Sequence, residues 1–262
     1  MELRPIKVTN TCVADDETLT RHVHLALARG LPVVGQHFQH DMIAVLVGSG
    51  PSLSTQLAAI QRQRERGWPI VAIKDAHDWL IEHDLVPDYA VALDPTERQW
   101  QCFRRKHPSV KYFIASQCHP TMFDHLADQQ VWLWHLTFNE GKAYPVGTIT
   151  IGGCTTTGLR AISLLYTMGF RRFELYGYDS CLLNGQLRVD TAWKREDEAN
   201  GQLLHHVKVG DCWFHCNAGM LAQADEFQRL FEMMPDIFIQ SYGPGLLAAI
   251  LAERAKPQMV PV

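Results

Sequence analysis

Short apolar runs, each closed by polar or turn-forming residues, recur along the chain and alternate with amphipathic stretches. The runs at 43–47, 69–73, 110–115, 131–136 and 173–176 are nearly continuous in Val, Ile, Leu, Ala and aromatic residues, the pattern of strands buried on both faces. The segment 85–93 carries a proline near its start and reads as a further strand, and 236–241 as the last one. Between them, helices are predicted at 53–66, 77–83, 97–106, 122–128, 159–168, 220–234 and 246–255. Strands alternating with helices call for a mostly parallel α/β sheet with right-handed crossovers, a Rossmann-like fold. Ahead of it, residues 1–40 form a lead-in with one amphipathic helix from about residue 15, acidic in its first turn and stopped at Gly30. This lead-in is expected to cover the sheet or make a dimer contact in a homo-oligomer. The single α/β domain is expected over 41–255, with a tail at 256–262. A small insertion at about 181–214 is marked by Asn-Gly turns and a β-hairpin near 207–214.

The polar punctuation carries the candidate chemistry. After the first strand comes Gly48-Ser49-Gly50-Pro51-Ser52-Leu53. Glycines there would let a ligand approach the backbone, Pro51 suits a first helical turn, and the N–H groups of the following helix would face a bound anion such as phosphate. A tight strand–helix turn without a ligand is the plain alternative. In open α/β sheets the ligand crevice lies beyond the carboxyl ends of the strands. Asp75, Asp94, Ser116, Gln117 and His119 all follow predicted strands and would share that space, although each alone could be a cap or turn former. A second glycine-rich helix entrance, Gly152-Gly153-Cys154-Thr155-Thr156-Thr157-Gly158, offers a phosphate or ribose site through Gly152, Gly153, Thr155 and Thr156. Its glycines could equally allow close helix packing. The polar loop 139–148 is a candidate lid. His205, His206, Cys212, His215 and Cys216 raise the question of zinc, but their spacing matches no common zinc module.

Composition narrows the class. With 262 residues, 47% hydrophobic and 20% charged, the chain has the make-up of a water-soluble globular protein. A net charge of −4 argues against a nucleic-acid-coating surface and leaves room only for a local basic patch. No apolar run approaches a membrane span, the N-terminus lacks the apolar core of a signal peptide, and seven irregularly spaced cysteines suit reduced thiols. A cytoplasmic protein is expected.

The glycine turns at 48–53 and 152–158, the segment Leu85-Val86-Pro87-Asp88-Tyr89-Ala90-Val91-Ala92-Leu93-Asp94, and Leu175-Tyr176-Gly177-Tyr178-Asp179 fall in one order. Together they resemble the 6-hydroxymethylpterin diphosphokinase-like family, which includes the motility accessory factors implicated in flagellin glycosylation. The likeness extends over about residues 40–255. The same layout is similar to bacterial sialyltransferases that use CMP-activated sugars. Lys74-Asp75 stands where both groups commonly have an asparagine. The first resemblance implies a transferase that moves a diphosphoryl group from ATP to a hydroxyl acceptor. Asp94 and Asp179 would then be the catalytic carboxylates that hold Mg²⁺. The second implies sugar transfer from a CMP-sugar, with His215 as the catalytic base. A nucleotide or sugar sensor that kept the fold is the non-catalytic alternative.

Overall fold

The computed structural model describes residues 14–137, 143–189 and 203–256. Parts of the expected lid loop and insertion, including the Asn200-Gly201 turn, and the tail beyond 256 lie outside the described residues. Seven parallel strands form one sheet: β1 (Ile43–Val47), β2 (Ile70–Ile73), β3 (Tyr89–Ala92), β4 (Lys111–Ala115), β5 (Gln130–Trp134), β6 (Arg172–Tyr176) and β9 (Phe238–Ser241). Two more strands, β7 (His205–Val209) and β8 (Cys212–Cys216), pair only with each other as an antiparallel hairpin. The sheet order is β5-β4-β3-β2-β1-β6-β9. The chain therefore winds outward from β1 to β5, then returns to place β6 on the other side of β1. Ile43 lies opposite Arg172 and Val47 opposite Tyr176. The fold is the expected Rossmann-like α/β arrangement.

Alternation along β1 assigns its two faces. Ala44 and Leu46 join one buried cluster with Leu159, Ile162 and Leu165 of α5 (Thr157–Thr167). Val45 and Val47 join another with Ile60 of α2 (Leu57–Glu65) and Trp79 and Leu80 of α3 (Ala76–Glu82). Helices on both faces bury Ala44 to Val47 fully and leave only Ile43 half-buried, which is why the run is unbroken by polar residues. α1 (Asp16–Leu27) begins at Asp15, whose side chain accepts a hydrogen bond from Thr18 N at 2.8 Å. It packs beside α4 (Pro120–His125), where Arg29 pairs with Asp124 at 2.6 Å. The chain closes with α6 (Ala218–Met233) and α7 (Leu246–Arg254). No helix among the described residues is long and apolar enough to cross a membrane.

Two expected helices change type. The first, at 53–66, is a 3₁₀ turn over Pro51–Thr55 followed by α2. Gln56 sits at the junction. Its Oε1 accepts from Gly177 N and its Nε2 donates to Tyr242 O, both at 2.8 Å, so the break is pinned from β6 and β9. The second, at 97–106, is a 3₁₀ helix over Glu97–Phe103. It stops where the buried Asp78 carboxylate takes the N–H groups of Arg104 and Arg105.

Candidate functional site

The strand order reverses between β1 and β6, and a crevice of about 730 Å³ opens there at the carboxyl ends of the strands. Each of the first six strands sends the residues that follow it into the wall: Gly48 to Gly50, Lys74, Asp94, Gln117, Thr137, and Gly177 to Cys181. Thr155 to Gly158 and Arg160 close it from the α5 entrance, and Asn217 and Gln223 from α6. Asp16 and Leu19 of α1 complete one side. The sequence assigned no chemistry to α1, and nothing in its amphipathic pattern signals this position.

The turn after β1 is built for crossing another turn. Gly48 N donates to Tyr176 O and Gly50 N to Gly177 O, each at 2.8 Å. A Cβ on Gly48 would lie 2.7 Å from Gly177 O, and one on Gly50 would lie 2.5 Å from Asp179 Oδ2. The Cβ-free faces of both glycines are thus taken up by the chain's own Gly177–Asp179 turn. Ser49 and Gly50 still line the crevice, but Pro51 and Ser52 turn into the protein, and neither Ser49 nor Ser52 caps the helix. That role falls to Asp179, whose Oδ2 accepts from Ser52 N at 2.8 Å across the sheet.

The two carboxylates expected to hold Mg²⁺ have other partners. Asp94 forms an ion pair with Lys74. Asp179 is buried between the Gly50 and Gly245 turns, its Oδ1 without a hydrogen-bond partner among the described residues. Burial raises the Asp179 pKa above the ordinary carboxylate value, with Ser52 pulling it back in part. No three His, Cys, Asp or Glu side chains converge as a metal cluster among the described residues. The donor set therefore does not fit a Mg²⁺ ion held by the protein alone.

Three cations face the crevice instead. Lys74 takes a left-handed backbone, φ 51°, at the end of β2. Burial works against its charge, but Asp94 beside it restores that charge and the Lys74 pKa stands above the usual lysine value. Arg188 Nη1 donates to Ser49 Oγ at 3.1 Å and meets Asp75 Oδ2 at 3.2 Å. Arg160, buried, donates to Cys154 O at 2.5 Å and Ile151 O at 2.7 Å, and burial lowers its pKa. Composition gave Arg160 and Arg188 no distinction from other arginines, because only the fold brings them to the strand ends.

Residues 24–185 match the family model of 6-hydroxymethylpterin diphosphokinase MptE-like proteins. The chain belongs to this family. The MptE-like match spans β1 to β6 and both glycine turns, and ends before the hairpin. The fold is similar to that of the MAf glycosyltransferase from Magnetospirillum magneticum AMB-1, with a TM-score of 0.67 and 16% identity. That likeness covers 92% of this MptE-like chain and 41% of the glycosyltransferase, so the chain spans well under half of its length. No curated protein matches the sequence.

Several other expected site residues of this MptE-like chain lie off the crevice wall. Asp75 is off the crevice wall and meets the crevice residue Arg188 at 3.2 Å. Ser116 is buried against the His135 ring at 3.0 Å, and His119 caps α4 through Thr121. Gln117 does line the crevice, with its amide held by Leu93 O at 3.0 Å. Gly152 and Gly153 stand outside it. Gly153 has φ 111°, and a Cβ there would lie 2.8 Å from Ser163 Oγ, so this glycine serves close packing. Thr155 and Thr156 line the wall, with Thr155 bonded to Glu226 at 2.8 Å and Thr156 capping α5. His215 is exposed on β8 and is not a crevice residue. It lies across the strand pair from His206, their ring centroids 4.3 Å apart. His205 pairs with Cys216 instead, which puts the five candidate zinc ligands on both faces of the hairpin.

Proposed function

We propose that this protein is a transferase that binds a nucleoside triphosphate in the switch-point crevice and moves a diphosphoryl group to a hydroxyl acceptor. The family name is that of a diphosphokinase, and the fold neighbour's is that of another transferase. The observation that carries the reading is the convergence of Lys74, Arg160 and Arg188 on a crevice large enough for a nucleotide. In such a transfer the acceptor oxygen bonds to the β-phosphorus and the bond from that phosphorus to the α-bridging oxygen breaks. A nucleoside monophosphate leaves, and the hydroxyl proton passes to water. Negative charge spreads over the transferring phosphoryl oxygens, and fixed cations stabilise that charge without reorganising.

Sugar transfer from a CMP-sugar is the second reading, supported by the fold likeness. It needs a base at the acceptor hydroxyl, and the exposed position of His215 weighs against the residue expected to serve. The assay is release of AMP from ATP against release of CMP from a CMP-sugar, across hydroxyl acceptors that include pterins. AMP release dependent on acceptor is the expected result. CMP release in its place would overturn the diphosphoryl reading, and nucleotide binding without either product would favour a sensor.

A further inference from the structure

We infer that Gln117 selects the base of the nucleotide. The end of the crevice over β3, β4 and β5 takes a flat ring bearing an amino group, and Gln117 Oε1 accepts a hydrogen bond from that group. The inference rests on the nucleotide reading above and adds which class of base the site prefers and which residue reads it.

β5, β4 and β3 are neighbours in the sheet, with Ala115 opposite Trp134 and Ala92 opposite Ile114. Their carboxyl ends therefore form one continuous ledge. Along it the chain sends successive residues in opposite directions. Ser116 and His135 bond to each other at 3.0 Å inside the protein, and Gln117 and Leu136, next in line, face the crevice. Leu93 lines the same end from β3, and Leu19 from α1. Leu19, Leu93 and Leu136 are all buried, so they offer apolar surface suited to the face of a ring. Asp16, on the first turn of α1, adds a carboxylate at the rim. That group is a poor neighbour for phosphate and a good one for an amine.

Gln117 itself is 5% exposed. His22 Nδ1 donates to its backbone O at 3.1 Å, and its own Nε2 donates to Leu93 O at 3.0 Å. A carbonyl only accepts, so the amide has one orientation, with nitrogen on Leu93 and Oε1 turned away from it. Satisfying Leu93 O explains the nitrogen and leaves the oxygen without a reason. Oε1 has no hydrogen-bond partner among the described residues, and it is not sealed in as Asp179 Oδ1 is. The crevice thus holds an acceptor fixed in place at its apolar end. A ligand that covers Oε1 without a donor leaves a buried acceptor unpaired, which costs more than an ordinary hydrogen bond returns. An exocyclic amine, as on adenine or cytosine, supplies the donor. An oxo group in its place sets two acceptors against each other, and a bare C–H offers none.

The test is calorimetric binding of two ligand pairs that differ at the amino group: ATP against purine riboside 5′-triphosphate, and CTP against UTP. Each is measured on wild type and on Gln117→Met, which keeps the length and loses the acceptor. Circular dichroism confirms the fold, and Gln117→Asn, one carbon shorter, takes the place of Gln117→Met if that variant does not fold. In whichever pair binds, wild type is expected to favour the amino member by roughly ten- to a hundred-fold. The variant should bring the two members within about three-fold of each other. A merely structural role for Gln117 would weaken both members alike and keep their ratio, which would overturn the inference. Equal affinity of wild type for both members would overturn it as well and leave the nucleotide reading standing. No binding of any of the four triphosphates would bring down the nucleotide reading itself, and the inference with it.

Discussion

At Gly50 a side chain is excluded by the protein's own backbone. A Cβ would meet Asp179 Oδ2 at 2.5 Å and Gly177 O at 2.6 Å, and a carbonyl in a strand-end turn has little room to yield. Gly50→Val is therefore expected to destabilise the whole fold by about 1–3 kcal/mol or more, as overpacking does, and not merely to block a ligand. Denaturant unfolding measures this; a variant of wild-type stability that has lost nucleotide binding alone would refute it. Asp179, the neighbour across the gap, predicts a pH effect. Its pKa is raised above 3.8 by burial, so the folded protein holds the proton more tightly than the unfolded chain does. The stability this contributes is fully present below the unfolded value and is lost as pH rises through the folded one. Asp179→Asn keeps an oxygen for Ser52 N–H and removes the titration. The unfolding free energy of wild type minus that of the variant should fall as pH climbs from about 4 toward neutrality. A flat or rising difference would contradict the buried placement. The spacing of Gly48 and Gly50 was legible as a strand–turn–helix, but its reason was not: the group that excludes a Cβ lies in a turn far along the sequence.

The entrance to α5 shows the same division at the scale of an element. Its glycine and threonine pattern identified a helix start, and the structure places that start at Thr157 with Thr156 as its cap. What fixes the loop before it is Arg160, which reaches back from the first turn of α5 to the carbonyls of Ile151 and Cys154. Arg160→Met keeps the length and removes both bonds, leaving two carbonyls without their donor. A loss of about 1.5–3 kcal/mol per charge-assisted bond is the upper range expected, with amide exchange across 151–157 rising more than elsewhere. Hydrogen exchange read by mass spectrometry would show it, and uniform protection in the variant would argue that the loop is held by Glu226 on Thr155 instead. Strands were easier to read than helices here. An unbroken apolar run admits few alternatives, whereas the 3₁₀ turns at 51–55 and 97–103 depend on Gln56 and Asp78 finding partners in distant segments.

For the whole molecule, the direction in which strands end was visible in the sequence, since polar residues follow every apolar run. That is enough to place a crevice at one end of the sheet, and Asp94 and Gln117 are there. Strand order was not visible, and strand order decides which polar residues meet. It brings Arg188 onto Ser49 and leaves His215 outside. The same order has a consequence for how the chain is made. The strand that flanks β1 on its second side is β6, and beyond it comes β9, close to the end of the described chain. While a ribosome is still extending the region between β5 and β6, one edge of the wholly apolar strand β1 has no permanent neighbour. Such an open edge invites pairing with another chain. The two glycine turns that later interlock at 48–50 and 177–179 thus also mark a seam that closes only after β1 to β5 have been made, and a nascent chain paused before that seam is a form in need of a chaperone.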